Sequence, residues 1–282
     1  MNLHKIPQWR ADLHIHSFFS DCKFSPVSIL EKAKKMEINA ISITDHDSVY
    51  GVSVAIENCK KYGVEVIPGI EFSCDFNQKE VHILGYFIDI DNKILNEYIQ
   101  NFKKTRIVRI KKMIEKLNKL GCELDVNGFI DSIPGNVSIG RPHLAEAMVK
   151  KGFVKNYMEA FVLYIGDGKP AYEKKENPDI NEIIKLISKI NGISFVAHPG
   201  KNISINTLKE IVKFGINGIE IYHPSHSPDD TKIFLDFSNE NNLLVCGGSD
   251  FHGVIKADYK NLGKYFVDKQ ELDRMKSKVK RV

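Results

Sequence analysis

Cysteine is scarce and unpatterned in this chain, and the scarcity narrows what it can be. Cys22, Cys59, Cys74, Cys122 and Cys246 are odd in number and no two form a C-x-x-C pair, which argues against a disulfide framework and a thiolate zinc ribbon. They fit a reducing compartment, and a cytoplasmic location is expected. Long apolar runs are also missing: Asp12 and His14 interrupt the first apolar stretch, and no later window reaches the length of a membrane span. Neither export nor a membrane partner is expected. A net charge of +4 is too small to mark a nucleic-acid binder by itself. Solenoid repeats and low-complexity tracts do not occur.

What the chain does have is 43% hydrophobic residues over 282 positions, enough for one barrel-sized domain with an insertion. Periodicity predicts a strand ending in Asp12-Leu13-His14-Ile15-His16, a helix over 27–36, a strand over 40–44, a helix over 52–62, and strands over 64–67, 70–73 and 81–87. Between about 92 and 168 strand signals vanish, and helical segments are separated by Gly121, Pro134-Gly135 and Gly152. Alternation then resumes with helices over 179–190, 206–214 and 228–240 and strands over 192–197, 218–222 and 243–246. This grammar predicts a parallel α/β architecture of about seven strands, a distorted (β/α)7 barrel. Its segments are 1–91 and 169–282, with a helical insertion or cap at 92–168.

The densest basic run, Lys103-Lys104-Thr105-Arg106-Ile107-Val108-Arg109-Ile110-Lys111-Lys112, falls in that insertion. Ile107, Ile110, Ile114, Leu117 and Leu120 recur at helical spacing, which leaves a cationic opposite face. Such a face serves solubility or meets a polyanionic substrate.

The chemistry concentrates where apolar runs end. Residues i and i+2 of a strand share a face, so His14 and His16 can converge on one cation, and Asp250 and His252 repeat the spacing. Asp21, Asp45-His46-Asp47, Glu71, His82 and His198-Pro199 sit at or beyond the ends of other apolar runs, and a barrel gathers such ends around one mouth. Imidazole and carboxylate without thiolate suit zinc, manganese or iron, and Glu71 can bridge ions. The ligands exceed what one tetrahedral ion uses, which favours a polynuclear site. Paired metals generate hydroxide near neutral pH and clamp the oxygens of an in-line displacement, so phosphoester hydrolysis is the natural reaction.

His14-x-His16, Thr44-Asp45-His46, Gly69-Ile70-Glu71, His82, His198-Pro199 and Ser249-Asp250-Phe251-His252 together resemble the polymerase and histidinol phosphatase (PHP) family of metal-dependent phosphoesterases, across the whole chain. The resemblance implies a distorted seven-stranded barrel with two to three divalent ions (manganese, zinc or iron) and a metal-bridging hydroxide as nucleophile. It places His14, His16, Glu71 and Asp250 on the first ion, Glu71, His82 and His198 on the second, and Asp21, His46 and His252 on the third. Ser20-Asp21, the insertion and Gly140-Arg141-Pro142-His143-Leu144 look like the branch that hydrolyses nucleoside 3′,5′-bisphosphates, such as pAp to AMP, or trims short RNA from its 5′ end.

Arg141 and His143, at the start of a predicted helix, are then candidate phosphate contacts, or else a helix cap. His223 and His226 are candidates for substrate contact or leaving-group acid, with a plain surface position open for His226. Asp45 is expected to fix an imidazole tautomer. Asp47 flanks His46 in a similar supporting place, while Lys169, Lys174 and Lys175 approach a phosphate or are simply solvated. Cys22 stands where relatives often have glycine, which bears on the loop carrying Asp21. Alternatives are a small-molecule monophosphatase of histidinol-phosphate type, an amidohydrolase, and a metal-binding nucleic-acid module without catalysis.

Overall fold

The computed structural model describes residues 9–200, 202–254 and 258–279. The outermost residues of the two expected barrel segments, 1–8 and 280–282, lie outside them. In chain order the first part runs β1 (Ala11–Ile15), α1 (Pro26–Lys35), β2 (Ala40–Ile43), α2 (Tyr50–Tyr62), β3 (Glu65–Val66), β4 (Gly69–Phe76) and β5 (Lys79–Tyr86). Helices follow as α3 (Lys93–Lys119), α4 (Val126–Asp131), α5 (Arg141–Lys150) and α6 (Tyr157–Ala160), the last continuing into a π-helical turn at Phe161–Ile165. The chain then passes through α7 (Ile180–Lys189), β6 (Ile193–Val196), α8 (Ile205–Val212), β7 (Gly218–Tyr222), α9 (Pro228–Glu240), β8 (Leu244–Gly247) and α10 (Lys269–Lys278).

The helix boundaries follow local chemistry. Ser25 caps α1 by accepting from the Ser28 amide at 3.2 Å, with Pro26 in the first turn where its missing N–H costs nothing. Gly63 closes α2 at φ 67°, a left-handed geometry that glycine adopts without a Cβ penalty. Ser227 and Asp230 form a reciprocal capping box on α9.

The strands make one sheet of order β1-β2-β3 and another of order β4-β5-β6-β7-β8. Two seams join them. Ile15 bridges Phe251, with His16 N donating to Phe251 O at 3.0 Å; His46 bridges Glu71, with Asp47 N donating to Glu71 O at 2.9 Å. β3 and β4 form one stave interrupted at Pro68, which has no N–H to give a ladder. The circuit is therefore a distorted barrel of seven staves. One expectation changes: β4/β5 and β5/β6 are antiparallel. Asn77 (φ 52°) and Gln78 (φ 64°) turn the chain straight back from β4 into β5, and with no crossover helix between them the strands form a hairpin.

Three apolar masses support the site, the largest packing strand residues such as Ile41, Ile70 and Val196 against helix residues such as Leu30, Ile187 and Leu208. Leu13, Ala40, Leu84, Tyr86, Phe195 and Cys246 come from both sheets and pack as the barrel interior. Ile110, Met113, Ile114, Leu117, Leu144 and Met148 form a separate core among the inserted helices. Leu120, the last of the predicted helical stripe, is 46% exposed because α3 ends at Lys119.

β8 approaches β1 closely enough to exclude a side chain at Gly248, where a Cβ would lie 2.3 Å from both the Cβ and the amide nitrogen of His14. Gly248→Ala is therefore expected to destabilise the fold by about 1–3 kcal/mol, the usual range for overpacking. Thermal unfolding checks this, and an unchanged midpoint would contradict the close approach.

Candidate metal centre

The C-terminal ends of the parallel strands deliver most of the polar cluster. His14 and His16 end β1, His46 follows β2, His198 follows β6, His223 follows β7, and Asp250 and His252 follow β8. Glu71 and His82 instead lie within β4 and β5, where the antiparallel hairpin runs past the mouth. Asp21 arrives on the loop before α1. All nine expected ligands fall into groups whose ligating atoms lie within 4.8 Å of one another.

Around His14 and His16 the spacing is that of a coordination shell. His14 Nε2 and His16 Nε2 are 3.2 Å apart, Glu71 Oε2 is 3.4 and 3.3 Å from them, and Asp250 Oδ1 is 3.4 and 3.1 Å from them. Ligands at about 2.0–2.1 Å around a tetrahedral cation stand about 3.3–3.5 Å apart. The second Glu71 oxygen, Oε1, faces His82 Nδ1 at 2.9 Å and His198 Nε2 at 3.1 Å. A third focus surrounds Asp21, whose Oδ1 is 3.4 Å from His252 Nε2 and 3.5 Å from His16 Nδ1, and whose Oδ2 is 3.8 Å from His46 Nε2. His16 thus borders two foci, and His46 also reaches Glu71 Oε2 through Nδ1 at 3.0 Å.

The donor atoms fit cations better than one another. His46 Nδ1, His82 Nδ1 and Glu71 Oε2 are buried and have no hydrogen-bond partner despite contacts of 2.9–3.0 Å. Polar atoms left in that condition are costly unless an ion supplies the missing interaction.

Electrostatics separate the imidazoles. Burial pushes the Glu71 carboxyl up, but His46, His82 and His14 outweigh it and hold the group well below the usual carboxylate range. Asp21 and Asp250 behave alike, burial opposed above all by His252. Burial pulls His16 and His82 down, yet the surrounding carboxylates raise both to about 10; burial prevails at His46, which falls to about 3.

Outside the cluster, buried carboxylates tie distant segments together. Glu220, on β7, holds His14 Nδ1 at 3.0 Å and accepts from the His198 amide at 2.7 Å, which turns His14 Nε2 toward the cluster. Sequence reasoning missed it; the signal was a lone acid in the apolar strand Gly218-Ile219-Glu220-Ile221-Tyr222. Asp45 departs from expectation. Its carboxylate accepts from Ser17 N (2.7 Å), Ser17 Oγ (2.6 Å) and Ser20 Oγ (2.6 Å), so it shapes the loop carrying Asp21 and bonds no imidazole among the described residues. Asp12 accepts from Ser249 N at 2.9 Å and Gly263 N at 2.8 Å, and burial pushes it up to about 6.

A cavity of about 370 Å³ opens over the cluster, lined by Asp21, His46, His82 and His252 and by the cations Arg106, Arg109, Arg141 and Lys175. Asp47 gathers two of these: Arg106 Nη2 donates to Oδ2 at 2.5 Å and Lys175 Nζ at 3.4 Å. Lys175 is buried, which lowers it to about 8. Lys174 is exposed and 3.6 Å from Asp75 Oδ2, and Lys169 does not line this cavity.

The Arg141 guanidinium lies over Phe161 and Tyr172, 5.8 and 5.5 Å from the ring centres, and donates to Asp167. His143 borders a neighbouring cavity with Asp21 and Cys22, and its Nδ1 accepts from the Gly140 amide at 3.2 Å. Burial pushes the Cys22 thiol up to about 12. His223 Nδ1 accepts from Ser225 N at 3.1 Å, which leaves the proton on Nε2, 3.4 Å from Asp250 Oδ2. His226 accepts from Gly200 N and donates to Ile221 O, so both ring nitrogens are committed to backbone.

The PHP domain profile matches residues 12–273. A 5′-3′ exoribonuclease of Haemophilus influenzae is 30% identical over 86% of this chain and 90% of its own length. A 3′,5′-nucleoside bisphosphate phosphatase of Chromobacterium violaceum is 30% identical over 86% of both chains. A Bifidobacterium adolescentis structure, assigned to the metal-dependent phosphoesterases, superposes with a TM-score of 0.89 at 26% identity and covers 99% of each chain.

Two outcomes follow from this geometry. Glu220→Gln is expected to weaken metal binding by about 10–100-fold, as loss of a ligand's supporting partner usually does; a titration that matches wild type would contradict that role. A cation must also displace protons from His16 and His82, both raised to about 10, so affinity rises with pH and uptake releases protons. Calorimetry between pH 6 and 8 in buffers of different ionisation enthalpy checks this, and pH-independent affinity without proton release would contradict it.

Proposed function

The chain belongs to the PHP domain family and is a metal-dependent phosphoester hydrolase, and from that premise we propose that its substrates are nucleotides. It removes a phosphate from a nucleoside 3′,5′-bisphosphate, trims short RNA from the 5′ end, or does both. The observation that carries the reading is the juxtaposition of the ligand cluster with a cavity bearing Arg106, Arg109, Arg141 and Lys175, since a substrate with two phosphates needs a second cationic position beyond the reacting one. The named activities of the two relatives support it.

In this reading two to three divalent ions (manganese, zinc or iron) are held by His14, His16, Glu71 and Asp250, by Glu71, His82 and His198, and by Asp21, His46 and His252. Bound there, such ions bring the pKa of water toward neutrality and neutralise charge on phosphoryl oxygens. The protein's own groups do the rest. Arg141, beside Phe161 and Tyr172, presents a fork suited to a non-reacting phosphate, and His143 flanks it on the Asp21 side. His223 offers an Nε2 proton beside Asp250 to a departing oxygen. Segment 92–168 acts as a cap that brings Arg106, Arg109 and Arg141 over the barrel mouth. A cytoplasmic location completes the reading, supported by five cysteines without a disulfide; no helix of the described residues is long and apolar enough to cross a membrane.

Phosphate release from adenosine 3′,5′-bisphosphate with manganese, compared with histidinol phosphate, tests the substrate class. Turnover of the bisphosphate is expected, with Asp250→Ala losing more than the roughly 100-fold typical of supporting residues. Turnover of histidinol phosphate alone would move the protein to the monophosphatase reading.

A further inference from the structure

A second groove, on the outer side of α3, adjoins the catalytic cavity and shares Arg109 and Lys175 with it as lining residues. Its volume is about 260 Å³, and its floor is the helix face carrying Lys104, Val108 and Lys112. These positions recur every four residues, so they stack along one side of the helix; at about 1.5 Å per residue they span about 12 Å. Lys174, in the irregular segment before α7, joins them as a lining residue.

The groove's charge is lopsided. Lys104, Arg109, Lys112, Lys174 and Lys175 face it, against Glu173 and Glu176. Glu173 is already engaged by Lys112 at 3.3 Å and Lys116 at 2.8 Å. A bisphosphorylated mononucleotide has no need of cations here, because the catalytic cavity has its own. A linear series of cations leading away from a hydrolytic centre instead matches the regularly spaced charge of a polynucleotide backbone. Val108, 53% exposed between the lysines, gives an apolar surface for a sugar or base edge.

We infer that this groove is the track for the downstream phosphates of a single-stranded polynucleotide whose 5′ end occupies the catalytic cavity. The inference rests on the nucleotide reading above and goes further, since it assigns strand binding to side chains remote from the ligand cluster. A helix face of about 12 Å is long enough to meet more than one successive phosphate of the strand. Arg109 and Lys175 mark the passage between the two compartments.

The test is the double variant Lys104→Gln/Lys112→Gln of the metal-loaded protein, both side chains being exposed and removable without disturbing a core. Binding of a fluorescein-labelled phosphorothioate RNA of about ten nucleotides is measured by anisotropy across a salt series, beside phosphate release from adenosine 3′,5′-bisphosphate. Expected are a five- to tenfold or greater loss of RNA affinity, a log–log salt slope shallower by about 1.4, which is about 0.7 for each lost contact, and unchanged bisphosphate turnover. Unchanged RNA affinity and slope would overturn the track. So would failure of the wild type to bind the RNA, or an equal loss on both substrates, which would reduce the lysines to general electrostatics. Wild-type RNA binding that weakens as expected in the variant, without bisphosphate or RNA hydrolysis, would instead overturn the catalytic reading and leave the track standing.

Discussion

The structure turns on the burial of Glu71. Its carboxylate is shut off from solvent inside β4, where an isolated ionised group would cost far more than any single contact returns. Both oxygens face imidazoles: Oε1 faces His82 and His198, and Oε2 faces His14, His16 and His46. Five imidazoles from four separate segments therefore converge on one residue. The same carboxylate's backbone forms the seam between β2 and β4, exchanging hydrogen bonds with Asp45 and Asp47. Barrel closure and assembly of the imidazole cluster are coupled, because the residue that closes the seam also carries the carboxylate on which the imidazoles converge.

Around that point a ring of buried carboxylates does positional work. Glu220 joins β1 to the chain after β6, Asp12 joins β1 to the segments carrying Ser249 and Gly263, and Asp45 secures Ser17 and Ser20 in the loop of Asp21. Each spans elements far apart in sequence. Asp47 carries the arrangement outward, holding Arg106 from α3 and Lys175 from beyond the inserted helices. The helical segment is thereby tied through Arg106 to the residue next to His46, and the cations and the histidine cluster face the same cavity.

The residues that the structure gathers into one cluster were legible because they sit in short, spaced motifs: His14-x-His16 and Asp250-x-His252 announce a shared face, and Asp21, His46 and His198 follow apolar runs. The barrel and its seven-stave count follow from the same alternation. Three things were less visible. Glu220 is one acid in an apolar strand and gains meaning only when β7 is set beside β1. Asp45 has the position of an imidazole orienter, but its acceptors are filled by serines 25–28 residues away. The reversal of β5 depends on two left-handed residues, Asn77 and Gln78, neither of them glycine, so the turn carries little compositional signal.

The central proposal is that the residues around Glu71 would hold two ions and those around Asp21 a third. Metal content per chain, measured on purified wild type, Asp21→Ala and Glu71→Ala after manganese loading, tests it directly. The account predicts that Asp21→Ala loses about one ion and Glu71→Ala about two relative to wild type. Equal losses in the two variants, or full metal content in Glu71→Ala, would contradict it.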